Sequence, residues 1–117
     1  MMEQFTTVGF AYIKNFAQWD EQEHFKLIKA FHDLPTSEKD RLKMHHHNKA
    51  NHNRYRGLVP FLDNDPSHKE LFDMGLPYHL HSQQEKKYKL VEETPFPTNE
   101  EYNWIKEGYE KHYHMFH

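Results

Sequence analysis

Apolar and polar positions alternate along this chain in short, distinct stretches. Val8-Gly9-Phe10-Ala11-Tyr12-Ile13 is β-branched and aromatic, and reads as a short strand ended by Asn15. A helix is predicted next. Asp20 can cap its first turn, and Glu23, three residues on, completes a capping-box pattern. Phe25, Ile28, Phe31 and Leu34 then recur at helical spacing, and Leu27 widens the stripe. Glu21, Glu23, Lys26 and Lys29 are left facing solvent. Pro35 stops the helix, because proline restricts the residue before it and cannot donate to the preceding turn.

Thr36-Ser37-Glu38-Lys39-Asp40 begins a second, shorter helix that runs to about Met44. Residues 45–54 are polar and read as a loop. Two short strands are predicted next, Gly57-Leu58-Val59-Pro60-Phe61-Leu62 and Lys69-Glu70-Leu71-Phe72-Asp73-Met74-Gly75, separated by an Asp63-Asn64-Asp65-Pro66 turn. In a half-buried strand Phe72 would face the core, bracketed by Glu70 and Asp73. Gly9 and Gly57 suit places where a strand begins close to another backbone. Residues 79–97 read as mostly loop, since Pro95 and Pro97 forbid regular pairing. A last helix begins at a second capping box, Thr98 and Glu101. Tyr102, Ile105, Tyr109 and Phe116 lie along its stripe, with His112 and Tyr113 beside it. No repeat and no domain boundary interrupts the pattern, so residues 1–117 are expected to form a single α+β domain.

Composition makes the expected core thin. Hydrophobic residues are 36% of the chain, and Leu, Ile, Val and Phe together sit near the roughly 20% level where disorder begins to compete. The 15% aromatic content offsets this, because each ring buries a large area. The chain reads as foldable, with part of its apolar surface meant for a neighbour. A net charge of -3, with both signs interspersed, gives no footprint for nucleic acid or for an anionic membrane. No apolar run approaches the ~18–20 residues that span a bilayer. The opening Met1-Met2-Glu3-Gln4-Phe5-Thr6-Thr7 lacks the basic and apolar regions of a signal peptide, so a cytoplasmic location is expected. The absence of cysteine excludes disulfides, thiolate metal sites and a cysteine nucleophile. Twelve histidines predict a chain that turns strongly cationic and loses stability in mild acid.

Four segments, in order, resemble one family. Gly9-Phe10-Ala11-Tyr12-Ile13-Lys14-Asn15 is similar to an opening strand that ends in Asn-His, with Phe16 here in place of the His. Phe31-His32-Asp33-Leu34-Pro35-Thr36-Ser37-Glu38-Lys39 is similar to a Phe-x-x-Leu-Pro-x-Glu-Glu-Lys helix junction. Arg56-Gly57-Leu58-Val59-Pro60 resembles an Arg-Gly-Tyr-x-Pro strand, with Leu58 replacing the Tyr. Lys69-Glu70-Leu71-Phe72-Asp73-Met74-Gly75 resembles a Lys-Glu-x-Phe-Asp-x-Gly strand. Pro95-Phe96-Pro97 is similar, more loosely, to a Trp-Pro segment. Together they resemble the N-terminal region of the non-haem iron, 2-oxoglutarate-dependent dioxygenases of the isopenicillin N synthase type. The resemblance implies a helix-and-strand layer that packs on a double-stranded β-helix (jelly-roll) barrel. That barrel is missing from this chain, which would leave strand edges unpaired.

The resemblance also implies which chemistry is missing. The family holds iron with two His and one carboxylate, leaving positions for 2-oxoglutarate and oxygen. An Arg-x-Ser pair binds the co-substrate. This chain has no His-x-Asp and no Arg-x-Ser, so no catalytic residue, metal ligand or cofactor is assigned to it alone. Fe(II) and 2-oxoglutarate are implied for the complete family protein. A basic residue of the N-terminal region can reach an anionic substrate at the barrel mouth. The resemblance gives that role to Arg56, with Tyr55 and Arg54 beside it; the plainer reading is an exposed strand-edge pair.

Histidine offers other candidates, each with a bland counterpart. His68-Lys69-Glu70 would place two ligands on one strand face, yet it lies inside a scaffold segment. His45-His46-His47 with His52 could capture nickel or zinc, or simply be a solvated loop. His79 and His81 alternate, as at a surface strand end. His112, His114 and His117 sit on a helix end expected to fray. No Gly-x-Ser-x-Gly elbow and no glycine-rich phosphate loop is present.

Three functions follow as expectations. The first is a partial product of an oxygenase gene, inactive alone and partnered by the missing C-terminal barrel. The second is a non-catalytic module that binds another protein. The third is a subunit completed by a chain carrying the iron site.

Overall fold

A computed structural model describes residues 2–11, 13, 14, 16 and 19–116, apart from the Phe5 side chain. Helix α1 spans Met2–Val8, α2 Glu21–His32 and α3 Thr36–Leu42; strands β1 (Gly57–Val59) and β2 (Leu71–Asp73) follow, and α4 (Asn103–Phe116) closes the order. Among the described residues no helix is long and apolar enough to cross a membrane. The mixed α+β class is as expected.

The central helix starts where its cap predicts. The Asp20 carboxylate accepts the Glu23 amide at 3.0 Å, satisfying one of the orphan donors of the first turn. Glu23 uses its own carboxylate elsewhere, taking Lys111 of α4 at 3.1 Å. Leu27, Phe31 and Leu34 carry the buried face of this segment, with Ile28 half-buried. Phe25 was expected in that stripe but is exposed. The face that meets α4 is centred on Leu27 and Phe31, which turns Phe25 outward. Pro35 ends one helix and starts the next, its carbonyl accepting the Glu38 and Lys39 amides at 2.9 and 3.0 Å.

α3 stops at Leu42, short of Met44. Lys43 turns extended and bridges in parallel to Leu58, and the Met44 amide donates to the Leu58 carbonyl at 3.1 Å. The two predicted strands do pair, antiparallel, with Leu58 opposite Phe72 and Gly57 opposite Asp73. Phe72 points inward between the exposed Leu71 and Asp73, as the alternation requires. Gly57 has φ +120°, and a Cβ there would run into the Leu42 carbonyl oxygen, so the close approach expected at this glycine is real. Gly9 has φ +81°, and no described residue lies within 4 Å of where its Cβ would be.

Leu27, Phe31, Leu34, Leu42, Leu58 and Ile105 form one core, with Ala30, Phe72, Tyr102 and Tyr109 packed against it. Phe31 meets Phe72 at 4.2 Å between ring centroids and Tyr109 edge-on at 5.6 Å. Full burial of Phe31, Leu58 and Ile105 contributes about 1.5–3 kcal/mol each. Burial also pushes the Tyr109 phenol up to about 12.

Three further expectations are corrected. The strand over residues 8–13 does not form. Val8 closes α1, and Phe10, Ala11 and Ile13 have no strand neighbour among the described residues; Tyr12 and Asn15 lie outside them. A strand needs a paired neighbour, and among the described residues this run has none. The last helix is capped one residue later than Thr98: Asn99 accepts the Glu101 amide at 3.3 Å and leads into a 3₁₀ turn, Glu100–Tyr102. On α4 the buried stripe is Ile105 and His112, while Phe116 is exposed.

Candidate functional site

Two of the four family-like segments, the helix junction (31–39) and the second strand segment (69–75), meet around one carboxylate. Glu70 immediately precedes β2. One of its oxygens lies 2.6 Å from His32 Nδ1 and the other 2.8 Å from Lys39 Nζ. Lys39 also donates to the His32 carbonyl at 2.9 Å. α2 supplies His32, α3 supplies Lys39, and the hairpin supplies Glu70. Burial pushes the Glu70 carboxyl upward, but the hydrogen bonds and charges of Lys39 and His32 outweigh it, and the net shift is downward. The arrangement is an ion-paired clamp that fixes the hairpin against the helix junction.

That clamp decides the His68-Lys69-Glu70 candidate. His68 adopts φ +47° after the Asp65 turn, and its ring stacks on Phe61 at 5.6 Å. The left-handed residue breaks strand alternation, so His68 and Glu70 do not share a face as the sequence suggested. In the 45–54 loop His46 lies against His47, and His45 lies 6.2 Å from His52 between ring centroids. His79 falls in a 3₁₀ turn, Tyr78–Leu80, with His81 just after it, and the strand-end alternation is lost. His112 is buried beside His24, whereas His114 is exposed and His117 lies outside the described residues. Among the described residues no group of three or more His, Asp or Glu side chains is arranged to hold a metal ion.

Arg56 precedes β1. Its guanidinium lies across Gly75, where any Cβ would collide with it, and Nη1 donates to the Tyr55 carbonyl at 3.0 Å. Its Nε is buried without a partner among the described residues. The backbone beside it already holds an anion. The amides of Arg54 and Tyr55 grip the Glu92 carboxylate at 2.8–3.0 Å. Asn53 donates to the Glu93 carbonyl, extending the same grip. A sequence reading had no signal for Glu92, because the contact spans 38 residues and uses main-chain donors.

A concavity lies apart from Arg56, which is not among its lining residues. A cleft of about 510 Å³ is walled by Glu38, Arg41, Asn53, Thr94, Phe96 and Lys106, among others. Its wall mixes charges of both signs with the apolar Leu42, Pro95, Phe96 and Pro97. Thr94 is buried at its edge, its hydroxyl accepting the Gly75 amide at 3.0 Å.

Comparison of the chain with models of known families, with curated proteins and with solved structures finds no match.

Proposed function

We propose that this chain is the N-terminal scaffold region of a non-haem iron, 2-oxoglutarate-dependent oxygenase of the isopenicillin N synthase type, working in the cytoplasm. Its task is structural. It presents a prefolded layer to a jelly-roll barrel, and the barrel supplies iron, 2-oxoglutarate and most of the substrate pocket. Arg56 is the residue of this layer we assign to an anionic substrate.

The observation that carries the reading is the meeting of the resembling segments. Lys39 of the helix junction pairs with Glu70 of the second strand segment, Phe31 packs on Phe72, and Leu58 pairs with Phe72 across the hairpin. Residues that look unrelated along the chain thus serve one packed unit. A second observation supports it. The stretch after α1 leaves Phe10 and Ile13 exposed, as suits apolar residues whose cover is supplied elsewhere.

Sequencing the transcript and genomic locus past codon 117 tests the proposal. A frame that continues into His-x-Asp, a distant His and Arg-x-Ser supports it. A stop codon there in an expressed message, with no second chain carrying those residues, sinks it. The exposed Phe10, Ile13, Phe25, Phe61 and Leu71 would then favour the other reading, a module that binds a protein partner.

A further inference from the structure

Two histidines on different helices meet at the far end of α4. His24 closes the first turn of α2 and His112 lies near the end of α4, with ring centroids 4.9 Å apart and planes at 86°. His112 is only 6% exposed. The Nδ1 atoms of both rings are buried and have no hydrogen-bond partner among the described residues. Trp19 covers the pair, 4.4 Å from His24 and 5.8 Å from His112, and Phe116 packs on Trp19 at 5.5 Å. The contact is local to this end, since the Glu70 clamp and the hairpin lie against the other part of α2.

We propose that His24 and His112 form a proton-operated latch that holds the C-terminal half of α4 on α2 at neutral pH and releases it in mild acid. Two imidazolium charges at this separation repel, and no described residue offers an acceptor to either buried Nδ1. The charged neighbours do not relieve this. Glu23 of α2 is engaged with Lys111 of α4 at 3.1 Å, so it is not a free counter-ion. Lys26 lines the same small pocket as Glu23 and His112, and adds a further positive charge. Asp20 stands one turn before His24, with its carboxylate on the Glu23 amide and its carbonyl on the His24 amide at 3.0 Å. Trp19 meets both rings tilted rather than face-on, at 4.4 and 5.8 Å, and carries no charge to offset theirs.

The sign follows from the same geometry. Burial, and then His112, hold His24 below the usual histidine range. The unfolded or opened chain therefore binds protons more readily. The latch is fully closed above about pH 6.5 and weakens as pH falls through the depressed folded value.

Amide hydrogen exchange on the 117-residue chain at pH 7.5 and 5.5, corrected for intrinsic rates, is the test. Protection across residues 109–115 is expected to fall by about ten-fold or more in acid, while residues 36–42 of α3 keep theirs. In His112→Leu, and separately in His24→Leu, the acid effect on residues 109–115 should shrink to about two-fold or less. Equal loss in α3, or an unchanged pH effect in the variants, overturns the proposal in favour of general acid destabilisation by twelve histidines. Should neither variant fold, imidazole chemical shifts of the unaltered chain decide. Coupled titration of the two rings supports the latch, and two independent curves at ordinary histidine values overturn it.

Discussion

Two parts of this molecule both carry aromatic and β-branched residues and are built oppositely. The α2–hairpin–α4 unit buries Phe31 completely, whereas the segment before α2 leaves Phe10 66% and Ile13 65% exposed. The difference is not in residue type. Phe31 has a strand pair beneath it and a helix beside it, and the clamp at Glu70 locks those parts together. Phe10 and Ile13 follow a glycine at φ +81° with no described residue within 4 Å of where its Cβ would be. Apolar sequence becomes core only where something covers it, and the described residues leave Phe10 and Ile13 largely uncovered.

The largest effect is expected at the centre of the covered half. Phe31→Ala should cost about 3–5 kcal/mol, since it removes a ring that touches Phe72 and Tyr109 and leaves a cavity the hairpin cannot fill. In a domain whose whole stability is about 5–15 kcal/mol, that loss should abolish a cooperative urea transition or move its midpoint sharply. A midpoint that barely moves would mean the core is not organised around α2.

Next comes the clamp. Glu70→Gln should cost about 1–3 kcal/mol, because it removes a charge-assisted partner from both Lys39 and His32. Its pH signature has a definite sign. The Glu70 carboxyl is held below its ordinary value, so the unfolded chain takes up the proton first. The clamp's contribution is present above the unfolded value of about 4.3 and is lost as pH falls through the lower folded value. Melting temperatures between pH 6 and 3 should therefore fall more steeply in the unaltered chain than in the variant. Parallel slopes would show that Glu70 is not linked to folding.

Much of this half was legible in the sequence, for physical reasons that can be named. The Asp20 cap, the Pro35 stop and the Phe72 alternation are local rules, and each element obeys them. The clamp was half legible. Lys39 and Glu70 both sat in the resembling motifs, but nothing local pairs residues that far apart. The grip of Arg54 and Tyr55 on Glu92 was not legible at all, because main-chain donors carry no residue signature. His112 was placed beside the α4 stripe, while the helix phase actually buries it with Ile105. The Val8–Ile13 strand failed because strand propensity expresses a fit to a neighbour, and propensity alone does not supply one.

The caps give a smaller and more local contrast. Asp20→Ala should cost about 1 kcal/mol, since the Glu23 amide loses its acceptor. Asn99→Ala should cost about 0.5–1 kcal/mol at the start of α4, and Thr98→Ala within about 0.5 kcal/mol, because Asn99 and not Thr98 accepts the Glu101 amide. Chemical denaturation of the three variants checks the order, and a larger loss for Thr98→Ala would restore the capping box first read from the sequence.

The smallest effect is expected in the uncovered segment. The double substitution Phe10→Ser with Ile13→Ser removes two exposed apolar side chains and should change the stability of this chain by no more than about 0.5 kcal/mol. It should also reduce self-association, measured by sedimentation as a function of concentration, since exposed apolar surface drives it. In a longer product that carries the barrel, the same two substitutions should cost several-fold more, because the run from Val8 to Ile13 would then sit in a paired strand. An equal, negligible cost in both proteins would mean that this segment has no sheet waiting for it. A large cost in the isolated chain would mean that it is already covered, and that the contrast between the two halves of the molecule does not hold.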